Sequence, residues 1–164
     1  MLAERELGPA LEAPDLFAPV VAFRRWRLID GELCSPYAPF VWREAIACAG
    51  CLTAGDHAVP DPACGCGIGA YREPQADIVQ VDFRAVTGVV SLWGRLEVGA
   101  DLIRAEFARV EALAVCDAWS SRQHDAVRSA ARDLGADLIP LHAQAEAALG
   151  YGEPLAETLF PAAA

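Results

Sequence analysis

The chain contains no lysine: all thirteen basic residues are arginine, set against twenty-three acidic ones for a formal net charge of -10. So acidic a surface repels phosphate backbones, which disfavours nucleic acid as a partner. No stretch approaches the roughly eighteen apolar residues of a membrane span, so no membrane association is expected. The opening MLAERELGPALEAPDLF lacks the basic start and apolar run of a secretory signal. A cytoplasmic location is therefore expected, with reduced thiols, so the six cysteines read as ligands, reactive groups or core residues rather than disulfides. Phosphate loop, dinucleotide fingerprint and metalloprotease helix are all missing, as are the common iron–sulfur spacings. Ser120, Ser121 and His124 match no nucleophile elbow or triad, and no internal repeat is found.

What remains is a chain of 164 residues, 54% apolar and 22% charged, long enough for one domain with a real core. Residues 1–18 read as a loose N-terminal arm, 19–150 as a single α+β domain, and 151–164 as a loose tail. Val20 to Ile29 is rich in strand formers, and Asp30-Gly31 is a hairpin signal with Glu32 to Ser35 returning. Pro36 and Pro39 break regular structure, and Arg43 to Cys48 reads as one helical turn. The GIGAYREP segment reads as a turn or short helix, and Ala76 to Val86 as a strand with a helical start. Gly88–Leu96 and Leu102–Leu113 form the best hairpin, with Gly94 at a bulge or close backbone contact. On its second strand Ile103, Ala105 and Phe107 are expected on one face, with Arg104, Glu106 and Ala108 on the other. Glu97 and Glu106 are the expected cross-strand partners of Arg95 or Arg104. From Ser120 an apolar stripe at helical spacing runs to a stop at Gly135, and Leu141–Leu149 reads as a second helix.

The chemistry is concentrated between Cys48 and Gly67, CAGCLTAGDHAVPDPACGCG. Cys48 and Cys51 form a C-x2-C pair, Cys64 and Cys66 a C-x-C pair, and His57 lies between them. Tetrahedral zinc needs four such ligands, and two local pairs on a short loop supply them at small closure entropy. All four cysteines, or three cysteines with His57 and one thiol left free, would satisfy the ion. Buried or surface thiols without metal, and thiol redox chemistry at Cys48 or Cys51, are the competing readings. A three-ligand site would be catalytic, with Asp56 or Asp61 as general base. Cys34 and Cys116 read as core residues, and His124 and His142 as surface ones. Glu106, if buried, is a candidate acid or base.

Arg24, Arg25 and Arg27 surround Trp26, and Trp42 and Trp93 are further aromatics. Arg24, Trp26, Trp42 and Trp93 form the candidate ligand-binding surface, against the competing view that the tryptophans fill core and the arginines pair with carboxylates.

RRWRL, SPY, the pattern His57-(x6)-CGCGI-x-Ala70, LWGR and RAEFA together resemble a set of small actinobacterial proteins over residues 23 to 113. In those proteins a C-x-CG element follows His-x-x-Pro, and an LWGR strand precedes an RAE strand. The resemblance carries no activity; it implies His57, Cys64 and Cys66 as a unit completed by Cys51 or Cys48.

The expected architecture is a small, strongly bent antiparallel sheet or open barrel with a Cys/His metal loop at residues 48–66 and C-terminal helices. The expected function is a zinc-stabilised, non-catalytic binding or adaptor domain for a small molecule or partner protein. A zinc- or thiol-dependent enzyme, and a structural component self-associating into a homo-oligomer through its alanine-rich helices, are the alternatives.

Overall fold

The computed structural model describes residues 11–12, 19–53 and 55–162. Their strands, in chain order, are β1 (Leu11–Glu12), β2 (Val20–Ile29), β3 (Glu32–Cys34), β4 (Val41–Trp42), β5 (Ile46–Cys48), β6 (Ile68–Tyr71), β7 (Ala85–Val98), β8 (Leu102–Val115), β9 (Asp137–Pro140) and β10 (Glu153–Pro154). The α-helices are α1 (Ile78–Val81), α2 (Ser121–Leu134) and α3 (Gln144–Ala148).

The β7–β8 hairpin is the spine. Residues 85–92 of β7 are buried on both faces, so this apolar run does not alternate as a half-exposed strand would. β2 pairs antiparallel with β7 from Val20↔Leu92 to Arg27↔Ala85. β6 pairs with β8 from Ile68↔Ala105 to Tyr71↔Leu102, and reaches back to β2 at Phe23↔Tyr71. The four strands β2, β7, β8 and β6 therefore form a ring in a strongly bent sheet, without the even staggering of a regular barrel. Val20, Ala22 and Trp26 of β2 share the main core with Leu92 and Leu96 of β7 and with Ile103, Ala105 and Ala108 of β8. A second cluster, Val21, Phe23, Val89, Ala112 and Ala114, packs on the opposite face against Ile139 and Ala148.

Helix α2 follows its sequence signals closely. Ser120 Oγ accepts the Gln123 N–H, and the Gln123 side chain accepts the Ser120 N–H in return. Gly135, at φ 63°, ends the helix. Val127 and Leu134 lie in the main core, each contributing about 1.5–3 kcal/mol of apolar burial. The chain then returns as β9, parallel to β8 from Ala112↔Asp137 to Val115↔Pro140, a strand that no sequence signal marked.

Four other expectations need correction. Arg43–Cys48 is not a helical turn: Ile46–Cys48 is a strand antiparallel to β8, at Ile46↔Arg109 and Cys48↔Phe107. GIGAYREP is likewise extended, and holds β6. Within Ala76–Val86 only Ile78–Val81 is helical, and the strand begins at Ala85. The C-terminal stretch is docked rather than loose. Glu153 and Pro154 pair with β2, Leu155 is buried, and the Arg72 guanidinium lies 4.6 Å from the Phe160 ring while ion-pairing with Glu157. Of the N-terminal arm, Leu11 and Glu12 pair with β7; the rest lies outside the described residues.

Gly94 sits at φ 79° where the β7–β8 register slips between Trp93 and Leu96. A Cβ there would meet Glu106 Oε2 at 2.7 Å and Phe107 Cδ2 at 2.8 Å, so the bulge requires glycine. The slip also resets the faces of β8. Ala108, not Phe107, joins Ile103 and Ala105 in the core, while Phe107 stacks on Trp93 at 5.8 Å.

Candidate metal centre and its groove

The loop between β5 and β6 gathers four ligand atoms. The side-chain donors of Cys51, His57, Cys64 and Cys66 all lie within 4.8 Å of one another. Cys51 Sγ is 3.8 Å from Cys64 Sγ, and His57 Nε2 is 3.3 Å from Cys66 Sγ. Tetrahedral zinc with bonds of about 2.3 Å to sulfur needs sulfur atoms roughly 3.8 Å apart, so the donors fit one ion in both spacing and chemistry. Thr53 Oγ1, 3.2 Å from Cys51 Sγ and 3.8 Å from Cys64 Sγ, supplies a hydroxyl beside two of the sulfurs.

Each ligand is placed by identifiable local structure. The Asp61 carbonyl accepts the Cys64 N–H at 3.0 Å, and its carboxylate accepts the Ala63 N–H at 2.7 Å, folding the turn into the C-x-C pair. Gly67, at φ 110°, passes so close to its neighbours that a Cβ would meet Pro60 Cβ at 3.0 Å and Arg104 Cβ at 3.1 Å. Arg104 of β8 donates through Nη1 to the carbonyls of both Cys64 and Cys66 and ion-pairs with Glu97. The His57 ring lies over Gly55, where a Cβ would stand 2.2 Å from Nδ1. The Thr53 hydroxyl foremost, then the backbone N–H groups of Gly55 and Thr53, lower the Cys51 thiol to a pKa of about 6. Burial pushes the Cys66 thiol the other way, upward.

Of the five ligands that the sequence nominates, Cys48 stands apart. It is the last residue of β5, whose alternation buries Ala47 and leaves Ile46 and Cys48 exposed. Among the described residues its sulfur is hydrogen-bonded to its neighbour's carbonyl, Ala49 O, at 3.8 Å, and it falls outside the group of four ligand atoms. The three-cysteine, one-histidine alternative is the arrangement found. Asp61 serves the turn and Asp56 is exposed. Glu106 is also occupied structurally, its carboxylate accepting the Arg95 N–H at 3.0 Å in the bulge. Arg104–Glu97 is the cross-strand pair expected of the hairpin, at register Glu97↔Arg104. Cys34 and Cys116 are half-buried rather than core.

Beside the metal centre runs a groove of about 570 Å³. The C-x-C turn and Cys51 form one wall, and Arg24, Tyr37, Phe40 and Trp42 line the other. The four residues nominated for ligand binding are dispersed. Trp26 and Trp42 are buried and meet edge to face at 5.7 Å. Trp93 stacks on Phe107, and neither Trp26 nor Trp93 lines the groove. Arg24 and Trp42 do. Tyr37, which the sequence offers as a further aromatic of the arginine-rich face, and Phe40, which follows Pro39, are the accessible rings on that wall.

Comparison with family models, with curated proteins and with solved structures returned no match. Among the described residues no helix is long and apolar enough to cross a membrane.

Proposed function

We propose that this chain is a zinc-clamped recognition domain, non-catalytic, that binds a small ligand or a partner protein in the groove beside its metal centre. The observation that carries this reading is the mutual spacing of Cys51, His57, Cys64 and Cys66. Three thiolates and an imidazole complete a tetrahedral zinc shell and give no position to a reactive water, which is the pattern of a structural site. The ion then holds the C-x-C turn as a fixed wall of the groove. An enzymatic reading, with an open zinc position or a Cys51 nucleophile, has less support, because the same four ligands use every position. A reducing, cytoplasmic setting belongs to this proposal, since Cys51 and Cys64 must remain thiolates to bind. The likeness to the actinobacterial proteins is part of it too, His57, Cys64 and Cys66 being shared ligands.

Metal analysis by mass spectrometry, on protein purified without an affinity-tag metal, tests the reading together with a thermal melt before and after chelation. One equivalent of zinc and a large loss of stability on chelation are expected. Protein without metal, with every thiol open to alkylation in the folded state, would overturn it.

A further inference from the structure

Arg24 occupies a core position. Along β2, Val20, Ala22 and Trp26 belong to the main core, and strand periodicity puts Arg24 in the same row. Among the described residues no carboxylate pairs with it there. Nη1 donates to the Gly69 carbonyl, Nη2 donates to Ser35 Oγ at 2.9 Å, and the buried Nε has no hydrogen-bond partner. The guanidinium lies 5.2 Å from the centre of Trp42 and 5.9 Å from that of Trp26. Arg25 likewise lies over aromatic rings, 5.1 Å from Tyr37 and 5.5 Å from Tyr71. Arg27, Arg43, Arg72, Arg104, Arg109 and Arg128 all have carboxylate partners. Among the described residues Arg84, Arg122 and Arg132, which have no ion pair, are exposed, whereas Arg24 and Arg25 have no ion pair and are half-buried or deeper.

In a chain with ten more acidic than basic residues, a pair of unmatched arginines in one hollow is a pointed arrangement. The groove beside the metal centre and a smaller adjoining hollow of about 230 Å³ share Arg24, Ser35 and Tyr37, and among the described residues neither has an aspartate or glutamate on its walls. Arg25 and Arg104 line the smaller one. A cation taken out of water without a counter-ion is costly, and burial accordingly lowers the Arg24 pKa to about 10. Two protein acceptors leave three of the five guanidinium N–H donors of Arg24 without a partner: the buried Nε–H, and one N–H on each terminal nitrogen that a planar anion can take. Beside them Tyr37, 76% exposed, and Phe40, 40% exposed, offer flat apolar surface.

Building on the reading of this chain as a recognition domain, we propose that the groove takes a small organic anion. Its carboxylate or phosphate lies where the groove opens into the adjoining hollow, on Arg24 with Arg25 beside it, and its aromatic or flat apolar body extends along the groove against Tyr37 and Phe40.

The test is a titration of the zinc-loaded full chain with benzoate, phenyl phosphate and the neutral benzyl alcohol, read at the Trp42 indole N–H resonance. That N–H donates to the same Ser35 Oγ as Arg24 does, at 3.2 Å, so it reports on the guanidinium's surroundings. Saturable shifts with either anion, absent with benzyl alcohol, are expected, and the tighter anion tells carboxylate from phosphate. Arg24→Met should weaken binding by at least about tenfold. Should that variant misfold, Arg25→Met and Tyr37→Ala, at more accessible positions, are each expected to weaken it several-fold. An equal response to benzyl alcohol, no response to either anion, or undiminished binding by the variants would overturn the proposal. Metal content of the same sample separates the two readings. Zinc without an anion response leaves the clamp and removes the anion site, whereas an anion response without zinc does the reverse.

Discussion

Arg104 and Glu97 face each other across the β7–β8 hairpin, and the same Arg104 guanidinium holds the carbonyls of Cys64 and Cys66. One side chain thus joins the most regular part of the sheet to its least regular loop. Arg104→Met is expected to destabilise the protein by about 1–3 kcal/mol, since it strands two part-buried carbonyls and a carboxylate together. It should also loosen the metal. Denaturant melts paired with zinc competition against a chromophoric chelator would measure both, and a variant as stable and as tight as the parent would show Arg104 to be a bystander.

Gly55 is the contact surface of the His57 ring. Gly55→Ala should push the imidazole out of line with Cys66 and weaken metal binding by about ten- to a hundredfold while the far hairpin stays folded. Competition titration gives the affinity, and circular dichroism checks the sheet. Unchanged affinity would mean that His57 can bind from another rotamer.

The four cluster residues and Cys48 should separate cleanly. Cys48→Ser is expected to keep its full metal content and melting temperature, and Cys64→Ser and Cys66→Ser to lose both. In the metal-loaded parent Cys48 should be the first thiol to react with iodoacetamide, which peptide mapping would reveal. Protection of Cys48 by metal would instead place it among the ligands.

Tyr151 donates its hydroxyl to Asp137 at 2.6 Å. Burial first, and then Asp137, raise its pKa to about 12. The unfolded phenol ionises near 10. Between about pH 10 and 12 the folded state therefore keeps a proton that the unfolded state has released, so this contribution to stability is intact below 10 and fades as pH rises to 12. An ultraviolet titration should find one of the three tyrosines ionising late, and Asp137→Asn should bring it down. Three tyrosines titrating together would contradict the contact.

What could be read from the chain was whatever is local. The Asp30–Gly31 turn, the β7–β8 hairpin, the Gly94 bulge and the α2 caps each depend on residues within a few positions of one another, and each is found where the sequence puts it. β5, β6 and β9 are three or four residues long, and their ladder partners on β8 are distant in sequence, except that β9 follows through α2. So short a segment has no periodicity of its own to display. The position of Cys48 is hidden for the same reason: only its pairing with Phe107 turns it outward, and until that pairing is known C-x2-C does not say whether one or both of its thiols are ligands. RRWR is rich in signal but silent on direction. Alternation puts Trp26 and Arg24 on one face, and only the ring shows that this face is the interior.

β6 is hydrogen-bonded on both of its edges and starts two residues after Cys66. If the metal holds the preceding turn, removing it leaves that turn tied to the sheet chiefly by Arg104, and β6 loses one of the anchors that keep it in place. The edges of β2 and β8 that it covers would then be open to pairing with another chain, which is how sheet proteins come to aggregate. Loss of the ion would thus show itself as self-association before it showed as unfolding. Light scattering on the chelated protein, held well below its melting temperature, would reveal that order, and a clear, monomeric chelated sample would refute it.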